Sequence, residues 1–182
     1  PDYDNESIKL LSSKTKRILL KLKKWEPEIY SIRSALNGIL IQERDKHITQ
    51  KDEFKIVTKK QPTNREIEDL IFANKIVKHT KSNAIVIVKN KQLLGSGVGQ
   101  TSRVDAVKHA IEKAKSFNFD LKEAVLASDA FFPFPDSIEI AHNAGITAFI
   151  QPGGSIRDKE SINFCDENNI SMIFTNFRHF KH

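Results

Sequence analysis

Cysteine is almost absent from this chain: Cys165 is the only one among 182 residues. A single cysteine excludes an intramolecular disulfide and any zinc site that needs several cysteine thiolates. This usage is typical of a reducing compartment, and we expect a cytoplasmic protein.

Long hydrophobic runs are also missing. No apolar segment approaches the roughly 20 residues that span a bilayer, and the N-terminus has no signal-peptide core. We therefore expect no membrane partner. The chain begins at Pro1 without a methionine, and we expect it to be a piece of a longer protein.

Positive charge is present, and most of it lies early in the chain. The net charge is +6, and the first 60 residues contain 14 Lys or Arg against 9 Asp or Glu. The basic run 14–24 could bind nucleic acid or a membrane surface. However, Ile18, Leu20 and Leu22 alternate with other residues at a strand-like period, and no aromatic side chain is available to stack on bases. A solvated basic strand is the favoured interpretation, ahead of nucleic-acid binding.

The first third of the chain has weak structural signals. Asp4 or Asn5 is a candidate N-cap for a short helix, and Asn37-Gly38 predicts a tight turn before a strand. Residues 43–61 are polar, with a possible exposed strand around Ile56. We assign residues 1–62 to a basic N-terminal segment with strands and residues 63–182 to a C-terminal subdomain of the same domain.

From Thr63 onward, helices and strands alternate. The capping-box spacing of Thr63 and Glu66 predicts a helix that ends near His79, and residues 84–88 form a β-branched run typical of a buried strand. Short apolar strands are then predicted at 124–127, 147–150 and 171–174. This alternation predicts an α/β fold with a largely parallel sheet.

A distinctive loop follows each of these last three strands. The loops carry the following residues: Phe131, Phe132 and Phe134 among prolines; Gly153, Gly154 and Ser155; and Arg178, Phe180 and His182 at the chain end. Because the carboxyl ends of parallel strands meet at one edge, we expect the loops to converge on one crevice. A Gly-Gly-Ser turn before a helix and an arginine both suit a phosphate group.

Each feature also has a structural alternative. The phenylalanine rings could fill the core beneath a connection. The glycines of Gly95-x-Gly97-x-Gly99, ahead of Arg103, could cradle an anion or allow close packing in a tight hairpin. Arg178 could form a surface ion pair, and a terminal His182 could be frayed.

Five ordered segments resemble one enzyme family. They are Lys81-Ser-Asn83-Ala-Ile-Val, Gly95-x-Gly97-x-Gly99-Gln-x-Ser-Arg103, Ser128-Asp-Ala-Phe-Phe-Pro-Phe134, Ile150-Gln-Pro-Gly-Gly-Ser155 and Phe177-Arg-His-Phe-Lys-His182. In order and spacing they are similar to the C-terminal portion of a formyltransferase domain that acts on aminoimidazole carboxamide ribonucleotide (AICAR). That domain belongs to the bifunctional purine-biosynthesis enzyme that also carries IMP cyclohydrolase.

The resemblance implies a cytidine-deaminase-like three-layer sandwich, a homodimer, and formyl transfer from 10-formyltetrahydrofolate to AICAR. It assigns roles by position: Asn83 and His182 to catalysis, and Arg103, Phe131, Asp136, Arg178 and Phe180 to substrate binding. Gly153, Gly154 and Ser155 are predicted from their own pattern to support a phosphate group. It also implies a monovalent cation, such as K⁺, on backbone carbonyls near Ser82 and Asp129.

Two departures from the family bear on activity. Pro135 stands where the family usually has arginine. The family's catalytic Lys-His pair belongs to the first half of the formyltransferase domain, which this chain lacks, and Lys78-His79 is not in the same setting. We therefore expect negligible transferase activity from the chain alone, with the remaining part of the enzyme as a partner.

Two other function classes compete with this interpretation. A zinc nucleobase deaminase of the same fold would need H-x-E and P-C-x-x-C motifs, which the sequence lacks. A non-catalytic nucleotide- or nucleic-acid-binding module would use the basic N-terminal segment and would bind in a salt-dependent way.

Overall fold

The computed structural model describes residues 2–24, 26 and 28–181. The chain forms two compact units, Pro1–Lys46 and His47–His182. Within the described residues, no helix combines the length and the apolar character needed to cross a membrane.

The described residues of the first unit form one helix and one hairpin. Helix α1 spans Asn5–Leu11, and the predicted cap is confirmed, since Asp4 Oδ1 accepts a hydrogen bond from Ser7 N at 2.7 Å. Strands β1 (Tyr30–Ala35) and β2 (Gly38–Glu43) pair antiparallel. The predicted hairpin reversal is therefore confirmed, but its two turn residues are Leu36, with φ of 51°, and Asn37, because Gly38 already belongs to β2.

The prediction of a basic strand between Ile18 and Lys23 is wrong. The described residues of this stretch form no ladder, and the side chains of Ile18 and Leu20 are 83% and 75% exposed. An alternating pattern specifies a strand only where a neighbouring strand can accept its backbone hydrogen bonds. None of the described segments of the first unit pairs with this stretch.

The second unit contains the main sheet and four α-helices. Its strands are β3 (Lys55–Ile56), β4 (Ile85–Lys89), β5 (Gln92–Gly97), β6 (Ala124–Ser128), β7 (Ile146–Gln151) and β8 (Ser171–Phe174). Its helices are α2 (Asn64–Lys78), α3 (Arg103–Ser116), α4 (Asp136–Asn143) and α5 (Asp158–Glu167), with a short 3-10 helix at Lys51–Glu53. The predicted capping box is confirmed: Thr63 Oγ1 accepts from Glu66 N at 3.2 Å, and Thr63 N donates to Glu66 Oε2 at 2.8 Å.

The strand order of the main sheet is β3-β8-β7-β6-β4-β5. Strand β7 is parallel to both of its neighbours, β6 and β8. The three other pairings, β3 with β8, β6 with β4 and β4 with β5, are antiparallel. The prediction of a mostly parallel sheet is therefore wrong, and the sheet is mixed. One cause is the tight turn at Asn90 and Lys91, where φ is 53° and 57°, which returns the chain directly into β5 without the crossover that a parallel neighbour requires. Because β3 pairs with β8, residues 55–56 belong to the second unit.

Helices cover both faces of the main sheet, and strand β4 shows how the sequence divides between them. Ile85 and Ile87 pack in the cluster that includes α3 and α4, whereas Val86 and Val88 pack in the cluster that includes α2. Successive side chains of a strand point to opposite faces, so a continuous apolar run is what a two-sided strand needs.

Candidate functional site

Strand direction brings the predicted site segments to one edge of the sheet. The three parallel strands end there at Ser128, Gln151 and Phe174. Strand β4 runs in the opposite direction, and its first residue, Ile85, pairs with Ser128 and with Gly97 of β5. The start of β4 and the end of β5 therefore reach the same edge as the three loops.

Arg103 and Asp129 form a buried ion pair at this edge. Arg103 Nη1 donates to Asp129 Oδ1, and the exposed fractions of the two side chains are 6% and 0%. Arg103 Nη2 also donates to Asn83 Oδ1 at 3.2 Å, while Asn83 Nδ2 donates to the carbonyl of Gln100 at 3.0 Å. Asn83 and Arg103 are thus brought together, and Asp129 is the carboxylate that holds the guanidinium.

The glycines ahead of Arg103 serve close packing. A Cβ at Gly95 would overlap the carbonyl oxygen of Ala110, and a Cβ at Gly97 would overlap that of Ala106. Strand β5 therefore lies directly against the backbone of helix α3. Of the two alternatives for this motif, the packing role accounts for these two glycines.

The three phenylalanines of the loop between β6 and α4 have different surroundings. Phe132 is fully buried and meets Phe149 edge-on, with ring centroids 6.2 Å apart. Phe131 is half-buried and Phe134 is exposed, and each lies under an arginine. One ring therefore lies in the core and two lie at the surface, so the core-filling alternative applies to Phe132.

Arg178 draws the three loops together. Its guanidinium carbon lies 4.8 Å from the centre of the Phe131 ring and 6.0 Å from that of Phe180. A Cβ at Gly154 would stand 3.5 Å from Arg178 Nη2, so the second loop also borders this side chain. The predicted convergence of Phe131, Gly154, Arg178 and Phe180 is confirmed as geometry.

The loop after β7 is held by its own hydrogen bonds. Gly154 N donates to Asp158 Oδ2 at 2.7 Å, and Ser155 Oγ accepts from Arg157 N at 3.1 Å. Gly153 has φ of +73°, and a Cβ there would meet the ring of Phe174. These contacts give the loop a defined shape beside Arg178.

The chain end packs against the start of β4 and the end of β6. His179 N donates to the carbonyl of Asp129 at 2.9 Å, and Ser82 exchanges two hydrogen bonds with Lys181, through its backbone N and its Oγ. Asp136 lies in the first turn of α4, is exposed, and accepts from Ser137 N. His182, a predicted catalytic residue, lies outside the described residues.

The side chains of two residues at this edge, Gln151 and Asp129, were not predicted from the sequence to take part in the site. Gln151 is fully buried, and its Oε1 accepts from Phe132 N at 3.2 Å and from Gly153 N at 3.4 Å, which joins the first loop to the second. Asp129 Oδ2 is buried and has no hydrogen-bond partner among the described residues. A polar residue at the very end of a buried apolar strand was the available signal for both.

Two arginine side chains lie over phenylalanine rings at this edge. The guanidinium carbon of Arg157 lies 4.6 Å from the centre of the Phe134 ring, just as that of Arg178 lies over the Phe131 ring. The described residues contain no group of three or more His, Cys, Asp or Glu placed to hold a metal ion. The arrangement can hold an anionic group next to an aromatic surface.

Comparison with known proteins gives a consistent set of relatives. Three proteins named "Bifunctional purine biosynthesis protein PurH" match the whole chain: 57% identity for that of Bacteroides thetaiotaomicron, 55% for Caldicellulosiruptor saccharolyticus and 53% for Aquifex aeolicus. The chain covers 36%, 35% and 35% of these proteins, so it spans about a third of their length.

A solved structure with some likeness is a diaminohydroxyphosphoribosylaminopyrimidine deaminase/5-amino-6-(5-phosphoribosylamino)uracil reductase from Thermotoga maritima. It matches 59% of this chain and 34% of its own, with 19% identity and a TM-score of 0.40. This likeness is too distant to carry an argument, and the cytidine-deaminase-like architecture stays a prediction.

The family described as the AICARFT/IMPCHase bienzyme matches residues 1–113, well over half of the chain. Relatives above 50% identity also match over all 182 residues. The chain belongs to the AICARFT/IMPCHase bienzyme family.

Proposed function

We propose that this chain is the C-terminal portion of an AICAR formyltransferase and that the edge around Arg178 binds the two substrates. The reaction would transfer a formyl group from 10-formyltetrahydrofolate to the amine of AICAR. The observation that carries the proposal is the position of Arg178, which stacks on Phe131 beside the glycine turn at Gly154.

The chemistry of this reaction explains why positioning groups matter. The amine of AICAR is a weak nucleophile because its lone pair is delocalised into the ring. Transfer therefore needs precise alignment of amine and formyl carbon, a general base and a donor for the developing oxyanion.

The chain offers groups for the alignment. Arg178 would hold the nucleotide phosphate through a bidentate contact, with Gly153, Gly154 and Ser155 shaping the loop beside it. Phe131 and Phe180 would supply an aromatic wall. Arg103 and the carbonyl of Gln100 fix the orientation of the Asn83 amide, so its second N–H would point in one direction towards the reacting region of the nucleotide. Asp136 would face the folate.

A monovalent cation near Ser82 and Asp129 is part of the proposal. The fully buried Oδ2 of Asp129 has no hydrogen-bond partner among the described residues, and an oxygen of this kind suits a hard cation. Because Arg103 donates to Oδ1, such a cation would take up the other oxygen, Oδ2, where the chain end meets β4 and β6. Ser82, Asp129 and Lys181 would hold that junction together.

The general base is proposed to come from the remaining part of the enzyme. The chain spans about a third of its relatives, and the family's Lys-His pair is not in it in the expected setting. We therefore propose that the 182-residue chain alone has negligible formyltransferase activity and that the complete enzyme is a cytoplasmic homodimer, as the family resemblance implies.

The test of the nucleotide site uses an enzyme of full family length that carries this sequence. Arg178→Gln should raise the KM for AICAR by about 10- to 100-fold, because a hydrogen bond to a charged group contributes roughly 1.5–3 kcal/mol. The KM for 10-formyltetrahydrofolate should stay nearly constant. Arg157→Gln is the matched control, since Arg157 also stacks on a phenylalanine of the same loop.

Two results would count against the proposal. An AICAR KM that is equal in the Arg178 and Arg157 variants would reject the phosphate role. A complete enzyme that fails to formylate AICAR would reject the function itself. In the same enzyme, Asp136→Asn should weaken the use of folate more than the binding of nucleotide, and an unchanged folate KM and kcat would remove Asp136 from the site.

A further inference from the structure

The chain end after β8 carries two of the proposed substrate groups, and its described residues belong to no helix or strand. Alternate side chains of this segment contact different neighbours. Arg178 lies over the Phe131 ring and near Phe180. Phe177 and His179 instead contact each other, with ring centroids 5.2 Å apart. The chain end thus has a crevice side, which carries Arg178, and a rear side, which carries Phe177 and His179.

A histidine from the beginning of the second unit packs on the rear side. The ring centroid of His47 lies 4.3 Å from that of Phe177, so three rings follow one another in the order His47, Phe177, His179. We name these three residues the ring cluster. His179 is 2% exposed, so the far end of the cluster lies in the interior. The ring cluster therefore joins the chain end to a segment far earlier in the sequence.

His47 is itself held by two other elements of the second unit. Its Nε2 lies 3.1 Å from Glu53 Oε1, and because a carboxylate only accepts hydrogen bonds, Nε2 is the donor. The second carboxylate oxygen of Glu53 accepts from Gln50 N at 2.5 Å. The carbonyl of His47 accepts from Lys78 Nζ at 2.6 Å, and Lys78 is the last residue of α2. These contacts fix the ring against which Phe177 packs.

Arg178 has few other constraints on its position. Neither its backbone nor its guanidinium makes a hydrogen bond with the residues that the structure describes. The backbone hydrogen bonds of its neighbour Phe177 are local and go to Thr175 Oγ1, and the next anchor is His179 N on the carbonyl of Asp129. A rotation at Phe177 would therefore carry Arg178 away from the crevice, and the ring cluster opposes that rotation.

The packing behind the ring cluster is incomplete. A cavity of about 120 Å³ borders His179, with Ile48, Thr49 and the end of α2 as its other walls. Because side chains do not fill this space, the chain end would have no second support to close on if the ring of His47 were lost.

We propose that His47 is a positioning residue for Arg178: its ring supports the rear side of the chain end, so that the guanidinium lies at the crevice before the nucleotide binds. The contact of His47 with Phe177, directly adjacent to Arg178, carries this inference. Preorganisation of a binding group lowers the entropic cost of binding and leaves the chemical step unchanged. The inference rests on the proposed phosphate role of Arg178.

The first test measures steady-state kinetics in the enzyme of full family length that carries this sequence. His47→Ala should raise the KM for AICAR by about 3- to 10-fold, the range to which the energy of one aromatic pair converts, with kcat and the folate KM nearly unchanged. His47→Phe keeps a ring against Phe177 and should bring the KM back to within about 2-fold of the native value. Failure of His47→Phe to restore the KM would overturn the role of the ring.

His142→Ala is the matched control. The His142 ring is also half-buried and meets Phe164 edge-on, with centroids 6.4 Å apart, but this contact joins α4 to α5. The control variant should therefore leave the KM for AICAR unchanged. A KM raised equally by His47→Ala and His142→Ala would overturn the inference, because the effect would then be a general loss of structure.

Comparison with Arg178→Gln separates the two proposals. If Arg178→Gln raises the KM for AICAR and His47→Ala does not, the positioning role is overturned and the proposed function stands. If neither variant changes this KM, the phosphate role of Arg178 fails, and the inference fails with it.

The second test does not depend on catalysis. In the same enzyme, backbone amides of residues 175–181 should exchange with solvent about 10-fold faster in His47→Ala than in the native protein, because the ring cluster opposes local opening. His142→Ala should leave this exchange unchanged. Equal exchange in the native enzyme and in His47→Ala would overturn the inference, whatever the kinetics show.

Discussion

The guanidinium of Arg103 is paired with the carboxylate of Asp129, and both side chains are buried. Asp129 Oδ1 also accepts from Ala84 N at 3.1 Å, and Arg103 Nη1 donates to the carbonyl of Ala84 at 3.1 Å. One ion pair therefore joins the start of α3, the start of β4 and the end of β6. This junction supports the edge on which the proposed substrate groups lie.

Loss of this ion pair should strongly destabilise the chain. Asp129→Asn leaves a buried guanidinium without its counter-charge, and breaking a buried pair typically costs about 3–5 kcal/mol. The urea concentration at the midpoint of unfolding should therefore be lower for Asp129→Asn than for the native chain. Glu123→Gln removes the partner of Arg65 in an exposed pair and should have little effect. Equal midpoints for the two variants would show that the buried pair is not a major source of stability.

The close contact between β5 and α3 gives a second prediction. Gly97→Ala would place a methyl group on the carbonyl of Ala106, so strand and helix would have to separate. Overpacking of this kind costs roughly 1–3 kcal/mol, and we expect a lower Tm by calorimetry. Gly38→Ala is the control, because the nearest atom to a Cβ there is 3.8 Å away. A tolerated Gly97→Ala would contradict the close packing.

Gln151 should control the rigidity of the phenylalanine loop. Gln151→Met keeps the volume but removes the acceptor for Phe132 N and Gly153 N, and a buried donor without a partner costs about 1–3 kcal/mol. We expect the amide of Phe132 to exchange about 10-fold faster or more in hydrogen-exchange NMR. Gln92→Met, at an exposed position, should not change it. Unaltered exchange at Phe132 would mean that other contacts hold the loop.

Cys165 should make stability depend on alkaline pH. Burial raises the pKa of its thiol from 9.0 to about 12, with Asp166 adding to the rise. Between these values the unfolded chain loses the thiol proton while the folded chain keeps it, so stability falls as the pH rises from 9 towards 12. The slope contributed by one group is at most about 1.4 kcal/mol per pH unit.

Urea denaturation between pH 8 and pH 10.5 isolates this contribution when the native chain is compared with Cys165→Ala. The difference in the free energy of unfolding between the native chain and Cys165→Ala should shrink as the pH rises. The native thiol should also react slowly with a disulfide reagent until the chain unfolds, because the thiolate is the reactive species. A constant stability difference across this pH range would contradict the raised pKa.

Local sequence patterns predicted most elements of the second unit. The capping box at Thr63, the β-branched run from Ile85 and the three apolar strands all act through short-range chemistry, namely cap hydrogen bonds, side-chain stiffness and burial. The sequence also predicted that the three loops meet at one edge of the sheet, because helical crossovers make the three consecutive strands run in the same direction.

Other features depended on partners far away in the chain. The pattern around Leu20 has the period of a strand, yet no described segment pairs with it, so the alternation alone did not produce a ladder. The reversal at Asn90 made the sheet mixed, and the pattern of β4 is the same whichever direction its neighbours run. Periodicity encodes burial on a face, whereas strand direction is decided by connection and pairing.

By itself, the sequence determined the boundaries of α2, the apolar strands of the second unit and the residues of the three loops, since caps, turns and periodicity are read within a few positions. Tertiary structure alone decided that Asp129 holds Arg103, that Gln151 joins two loops and that Gly97 lies on α3. These contacts join residues 9 or more positions apart or depend on how elements pack, and a buried polar side chain finds its partner only when the surrounding elements exclude water.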